Sequence, residues 1–152
     1  MRDIVSEAGT FFTGLSALPA IKTTQTSPGV DLANYDGAEV YILAGTWTDG
    51  TLTPVIQESN DNGNTDAWGT VANGDLVAWA ATSATVFTPV RVGGAQPTAI
   101  SSAATAINQR IGYNGAKRWI RVVTTVTGSP STGCLYDVTI HAGRPRNMPA
   151  NV

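Results

Sequence analysis

The chain has 152 residues, the length of one ordinary domain, and folding at that size removes roughly 70% of the extended chain's surface from water, enough for a single core. Only 13% of the residues are charged, about half the usual share, which suggests a surface that a partner normally covers in part. A single cysteine, Cys134, excludes an intrachain disulfide framework and a cysteine-based metal knot. No run of apolar residues approaches the roughly 18 of a membrane span or resembles a secretory leader, so the chain is expected to remain in the cytoplasm where it is made unless lysis releases it.

Net charge is -2, but residues 1–75 hold ten acids and two bases, whereas residues 76–152 hold one acid, Asp137, and seven bases. Two arrangements fit this asymmetry. Strands from the two halves interleave and neutralise one another, or the molecule is two-signed, with acidic and basic faces meeting different partners.

In chain order, residues 1–35 carry many breakers ("TGLSALP", "TSPGVDLANYDG") and read as an N-terminal arm with one possible strand at "AIKTT". From Ala38, "AEVYILAGTWT" has β-branched and aromatic residues on both faces, as in a buried strand; Asp49-Gly50 is expected to close a hairpin with "TLTPVIQES". Pro54 lacks an amide donor and places that strand at an edge or bulge. "NDNGNTDAWG" reads as a polar loop of Asx turns. "DLVAWAA", "TVFTPVRV" and "TAINQRIGY" are further strands, and Asn114-Gly115 signals a type I′ hairpin into "KRWIRVVTTVT". "CLYDVTIHA" is the last strand, and residues 144–152 form a basic, proline-interrupted tail. The fold expected is an all-β, single-domain antiparallel β-sandwich or jelly roll of about seven or eight strands over residues 36–143, flanked by extended arms at 1–35 and 144–152. No internal repeat points to a propeller or solenoid.

The most informative stretch is "IGYNGAKRWIRVVTTVTG", residues 111–128. Strand alternation puts Arg118, Ile120, Val122 and Val126 on one face, the better core face, and Lys117, Trp119, Arg121 and Val123 on the other. Trp119 then lies between two cations with room for cation–π contact. On the last strand Cys134, Tyr136, Val138 and Ile140 face the core, leaving Asp137 and His141 outside, where Asp137 is expected to pair with Arg121. The cluster either caps one sheet or anchors another subunit, Trp and Arg being favoured interface anchors. Nucleic-acid binding is not expected: the footprint is three bases on an acidic chain, without a recognisable nucleic-acid-binding motif.

Catalysis has little foothold. His141 and Cys134 are seven strand positions apart, hence on opposite faces and roughly 23 Å distant, and no GxSxG elbow supports a serine triad. A lone histidine makes no metal site. "DNGNTD" at 61–66 has the oxygen content of a calcium loop but places Gly63 where an EF-hand needs a ligand and lacks the downstream glutamate. No glycine-rich phosphate loop occurs, so no cofactor is expected. Trp47, Trp68 and Trp79 form a possible sugar-stacking platform, with core and hairpin packing as the simpler account.

Taken together, "VIQESNDNGNTDAW", "INQRIGYNGAKRWIRVVTTVTG" and "VTIHAGRPRNMP" resemble a family of small structural proteins of tailed bacteriophages, the head decoration or cement proteins. The resemblance spans about residues 38–149, and Trp119 stands where the family pattern leads one to expect Tyr. It implies a non-enzymatic virion component. Such a protein would bind the major capsid protein on the capsid exterior, associate with itself, as a trimer by analogy with cement sites at local three-fold positions, and touch neither nucleic acid nor membrane. The candidate interface residues are Lys117, Arg118, Trp119, Arg121, Arg144 and Arg146, with the terminal arms as clamps. A tail, neck or fibre-base component, or a carbohydrate-binding module, are the alternatives.

Overall fold

A computed structural model describes residues 9–80, 90–92, 94–105 and 108–145, with side chains for all of these except 9–19, 79–80, 90–92 and 144. The strands are β1 (Gly9–Ile21), β2 (Gln25–Thr26), β3 (Val30–Asp31), β4 (Tyr35–Trp47), β5 (Thr51–Ser59), β6 (Gly69–Thr70), β7 (Leu76–Ala80), β8 (Val90–Val92), β9 (Gln109–Tyr113), β10 (Trp119–Thr127) and β11 (Cys134–Pro145). Seven of them run for five residues or more, in line with the count expected from the sequence. The region read as an N-terminal arm supplies β1, β2 and β3, and β11 extends two residues into the tail, through Arg144 and Pro145.

The strands form two antiparallel sheets. One has the order β1-β11-β4-β9-β7-β8; the other has β2-β10-β5-β6, with β3 also paired to β10. The pairing is nested: β1 lies on β11, β2 and β3 on β10, β4 on β9, and β5 on β6. A chain folded back on itself in this way and then rolled, so that β11 meets β4 and β10 meets β5, is a jelly roll. β7 and β8 form a hairpin appended to the free side of β9.

In this roll β4 and β5, and likewise β9 and β10, belong to opposite sheets, and this overturns both expected hairpins. β4 and β5 flank Asp49-Gly50 but are not paired, and β9 and β10 flank Asn114-Gly115 but are not paired. A type I′ turn needs positive φ at both central residues; neither Asn114 nor Gly115 has it, and at the other turn only Gly50 does, at φ 79°. Both segments are arches between the sheets. The Asp49 carboxylate ties its arch to the next one, accepting hydrogen bonds from the amides of Gly133 (2.5 Å), Ser131 (2.7 Å) and Thr132 (3.1 Å) and from the Ser131 hydroxyl (2.8 Å). Those donors, the Gly133 amide foremost, pull its pKa from the usual 3.8 to about 2.

Period-two alternation builds the core. Val40 and Ile42 of β4, Ile111 and Tyr113 of β9, and Tyr136, Val138 and Ile140 of β11 meet Leu52 and Ile56 of β5 and Ile120 and Val122 of β10, all at most 2% exposed. Pro54 is tolerated because β6 pairs only with Gln57 and Glu58, leaving the rest of that side of β5 without a ladder. Segment 94–100 fills the gap. Leu52 and Ile100 exchange backbone hydrogen bonds, the Gln96 side chain accepts from the Ile56 amide and donates to the Val71 carbonyl, and the Gln109 side chain bonds both backbone groups of Thr98.

A polar contact is set within the core: the hydroxyls of Thr124 (β10) and Tyr136 (β11) lie 2.8 Å apart, both buried. Burial pushes the Tyr136 phenol well above its ordinary pKa, so it stays protonated. Tyr136→Phe is expected to destabilise the protein by about 1–3 kcal/mol by stranding the Thr124 hydroxyl, and the double variant Tyr136→Phe/Thr124→Val to recover most of that loss in denaturant titrations. Asp49 gives a second prediction. A carboxylate whose pKa is lowered by folding contributes stability above its unfolded value, 3.8, that is lost as pH falls through about 2. Asp49→Asn is therefore expected to lower the melting temperature at neutral pH and to flatten the pH dependence of stability over that acidic interval.

Candidate interaction surface

The alternation expected for β10 is observed: Ile120, Val122 and Thr124 are buried, while Trp119, Arg121 and Val123 lie half-exposed on the outer face of the five-stranded sheet. Lys117 and Arg118 sit in the arch just before the strand. Each cation of the cluster is taken up inside the molecule. Lys117 Nζ lies 2.8 Å from Asp66 Oδ2. Arg118 binds Asp31 through two parallel hydrogen bonds, Nε to Oδ1 at 2.8 Å and Nη2 to Oδ2 at 2.6 Å, and its guanidinium lies 5.6 Å from the Trp119 ring. Arg121 donates to Gln57 Oε1 at 2.9 Å and stacks 4.4 Å from the Trp68 ring. The bound arginine and lysine hold the Asp31 and Asp66 carboxyls below their ordinary range, and the acids in turn raise Arg118 and Lys117.

The expected pair between Asp137 and Arg121 does not form. Arg121 is on β10 and Asp137 on β11, which belong to different sheets, so their outward side chains point away from each other across the sandwich. Trp68, which sequence alone offers only as part of a possible sugar-stacking platform, joins this face through its stack on Arg121. It is delivered by the 60–68 loop, whose shape is fixed by two side chains. Asp61 accepts from the amides of Asn64 (3.0 Å) and Thr65 (2.7 Å), and the Ser59 hydroxyl accepts from the Gly63 amide (2.8 Å) while donating to the Asp66 carbonyl (2.7 Å). These are the Asx turns expected of that segment. The Thr65 hydroxyl and amide bring the Asp61 pKa down to about 2.

Glycines are placed where the two indoles need room. A Cβ on Gly63, which has φ 79°, would stand 2.3 Å from Trp68 Nε1; one on Gly29 would stand 2.2 Å from the Asn62 side-chain oxygen and 3.3 Å from Trp119 Cε3. Trp47 belongs elsewhere. It packs against the core beside the Asp49 arch, its indole donating to the Gly50 carbonyl at 3.0 Å, at the opposite end of the five-stranded sheet from Trp68. Trp47 and Trp68 thus do not share a stacking platform, and the Trp79 side chain lies outside the described residues.

The other sheet carries its own outer cluster. Glu39 of β4 pairs with Arg110 of β9 and accepts from the Tyr41 hydroxyl at 2.6 Å, and the Arg110 guanidinium lies 5.7 Å from the Tyr41 ring. Burial works to raise the Glu39 carboxyl, but these partners outweigh it and hold the group below its ordinary pKa, while burial and Glu39 push Tyr41 up to about 12. His141 is the cross-strand neighbour of Glu39.

Between the 32–37 and 113–118 segments lies a cleft of about 250 Å³. Its polar groups already have partners: the Tyr113 hydroxyl donates to Glu58 at 2.7 Å and accepts from the Lys117 amide at 3.2 Å, and Lys117 and Arg118 hold Asp66 and Asp31. Among the described residues no three His, Cys, Asp or Glu side chains converge as a metal site would require, and no helix is long and apolar enough to cross a membrane. Cys134 is buried, its thiol pushed up by burial, and His141 faces outward from the same strand. Of the remaining candidate residues, Arg144 is described in its backbone alone and Arg146 lies outside the described residues.

No protein-family model, curated protein or solved structure matches the chain. The surface rests on the 60–68 loop. Asp61→Ala is expected to accelerate hydrogen exchange at the Asn64, Thr65 and Asp66 amides while leaving the β10 amides protected, and Gly63→Ala to displace Trp68 from Arg121, read as loss of the ring-current shift on the arginine side chain.

Proposed function

We propose that this protein is a non-enzymatic structural component of a tailed-phage virion, of the head decoration or cement kind, that binds the major capsid protein on the shell exterior and stiffens the lattice. The supporting observation is the outer face of the five-stranded sheet, where Trp68, Trp119 and Arg121 lie half-exposed beside the exposed Arg118 of the preceding arch, and both guanidiniums are held by partners within the molecule. Tryptophan and arginine are the residues that most often carry interface energy. Immobilising them before contact lowers the entropic cost of binding.

The jelly roll is compatible with this reading, since it recurs in viral shell proteins, though also in lectins. The pairing of Lys117 and Arg118 with internal acids favours a protein partner over a polyanion, whose binding needs cations free to replace counterions. Self-association into a trimer at local three-fold positions belongs to the same proposal. A tail, neck or fibre-base position would use the same surface, and electron microscopy of particles carrying labelled protein separates these sites.

Binding to expanded shells should raise their rupture temperature, and Trp119→Ala or Arg121→Ala should weaken binding by about tenfold or more each, as interface anchors do. Purified protein that leaves shell rupture unchanged, or whose binding ignores both variants, would refute the assignment.

A further inference from the structure

Of the three arginines whose side chains are described, two are matched by acids and one is not. Arg110 pairs with Glu39 and Arg118 with Asp31, and each acid raises its arginine's pKa. Arg121 is different. Its Nε donates to the neutral Gln57 side chain, its guanidinium stacks on the Trp68 ring, and burial lowers its pKa with no acid acting against that shift. The acids of the neighbouring elements are committed elsewhere: Asp31 to Arg118, Asp66 to Lys117, Asp61 to the amides of its own loop and Glu58 to the Tyr113 hydroxyl. Among the described residues, nothing accepts from the Nη groups of Arg121.

Those groups are the open edge of a planar fork. Stacking on Trp68 fixes the plane and the bond to Gln57 fixes the stem, so the remaining N–H donors are set in place on a half-exposed residue. Trp119 stands two positions back on the same face of β10. A protein that seats on these indoles takes the guanidinium out of water as well. An unmatched charge is costly to bury, and a neutral carbonyl does not cancel it. We propose that the partner brings an aspartate or glutamate side chain whose carboxylate accepts hydrogen bonds from Nη1 and Nη2 of Arg121. This deepens the capsid reading, and rests on it only for the identity of the chain that carries the acid.

The surroundings select a single carboxylate over other anions. Asp31, Asp61 and Asp66 equal Lys117, Arg118 and Arg121 in number around this corner, so a run of phosphates meets no basic field. One planar guanidinium matches one planar carboxylate in both charge and shape. A partner with a base at that position is rejected, because the same burial then brings like charges together.

Two measurements on the full chain test the proposal. In the first, a capped glycine-glutamate-glycine peptide is titrated into the free protein and followed by NMR at the Arg121 Nε–H and the Trp68 and Trp119 indole N–H signals. Saturable shifts are expected, with binding about tenfold weaker for the glutamine counterpart and no saturable response in Arg121→Gln. Absence of any shift, equal binding of the glutamine peptide, or tighter binding of inorganic phosphate would overturn the carboxylate site. In the second, binding to expanded shells is compared among variants. Arg121→Glu should weaken it by about a hundredfold, beyond the roughly tenfold of Arg121→Ala, and a lysine in place of one acidic residue of the coat subunit should restore the Arg121→Glu variant. Circular dichroism and the Trp68 signal check that both variants keep the fold and the loop. Arg121→Glu binding no worse than Arg121→Ala would refute the ion pair. Shells ignored by the wild type while the glutamate peptide binds would remove the capsid reading and leave the carboxylate site. Shells bound equally by the wild type and Arg121→Glu, but not by Trp119→Ala, would remove the carboxylate and leave the capsid reading.

Discussion

Because β1 pairs with β11, β2 and β3 with β10, and β4 with β9, early and late parts of the chain are built against one another throughout the roll. The lopsided charge of the sequence is resolved by that topology. Asp31 meets Arg118, Glu39 meets Arg110 and Asp66 meets Lys117, each an acid from residues 1–75 and a base from residues 76–152. These three pairs follow the interleaved arrangement, one of the two that the sequence allowed. Exposed ion pairs of this kind contribute little stability individually. Their effect is on the character of the surface, where these six charges are compensated within the molecule.

The same topology places unusual demands on the connections. In a meander, a two-residue turn is held by the ladder on either side; in a roll, the arch between sheets has no such ladder and must be fixed by other means. A carboxylate meets that need at the β4–β5 arch, and another shapes the long connection between the paired strands β5 and β6. Asp49 gathers the amides of residues 131–133, and Asp61 gathers those of residues 64–66. One pins the arches at the β4–β5 end and the other shapes the loop that presents Trp68 at the far end of β5. Aspartates in turn segments act here as structural acceptors, which accounts for their loop positions without recourse to a bound cation.

The all-β class, the inward and outward faces of β10 and β11, the edge character of the strand holding Pro54 and the Asx-turn nature of the 60–68 loop were legible from period-two alternation and turn chemistry. Sheet membership was not. Asn114-Gly115 and Asp49-Gly50 report a change of chain direction, and nothing local tells whether the next strand pairs with the last one or crosses to the opposite sheet. A surface shared by Arg121 and Asp137 requires β10 and β11 to be neighbours, and they lie in different sheets. The Arg121–Trp68 stack was hidden for the same reason, since it depends on the loop after β5 folding back over β10. Recognising that early and late strands pair would have revealed both, because Ser59 and Trp119 then stand in register and Trp68 follows within the same loop.

An adhesive reading of the molecule follows from how the indoles and guanidiniums are held rather than from how many there are. Arg121 is fixed by Gln57 on one side and Trp68 on the other, and Arg118 by both oxygens of Asp31 with Trp119 beside it. A free arginine loses considerable rotamer entropy when a partner captures it; these have lost most of it on folding, so contact with a second protein costs less. The Arg118 charge is meanwhile balanced by Asp31, while Arg121 is held by the neutral Gln57 side chain and the Trp68 ring. A surface with these properties recognises shape and aromatic faces over a short range. It gains little from long-range attraction, which agrees with the proposed seat at one site of a repeating lattice better than with adhesion to a polyanion.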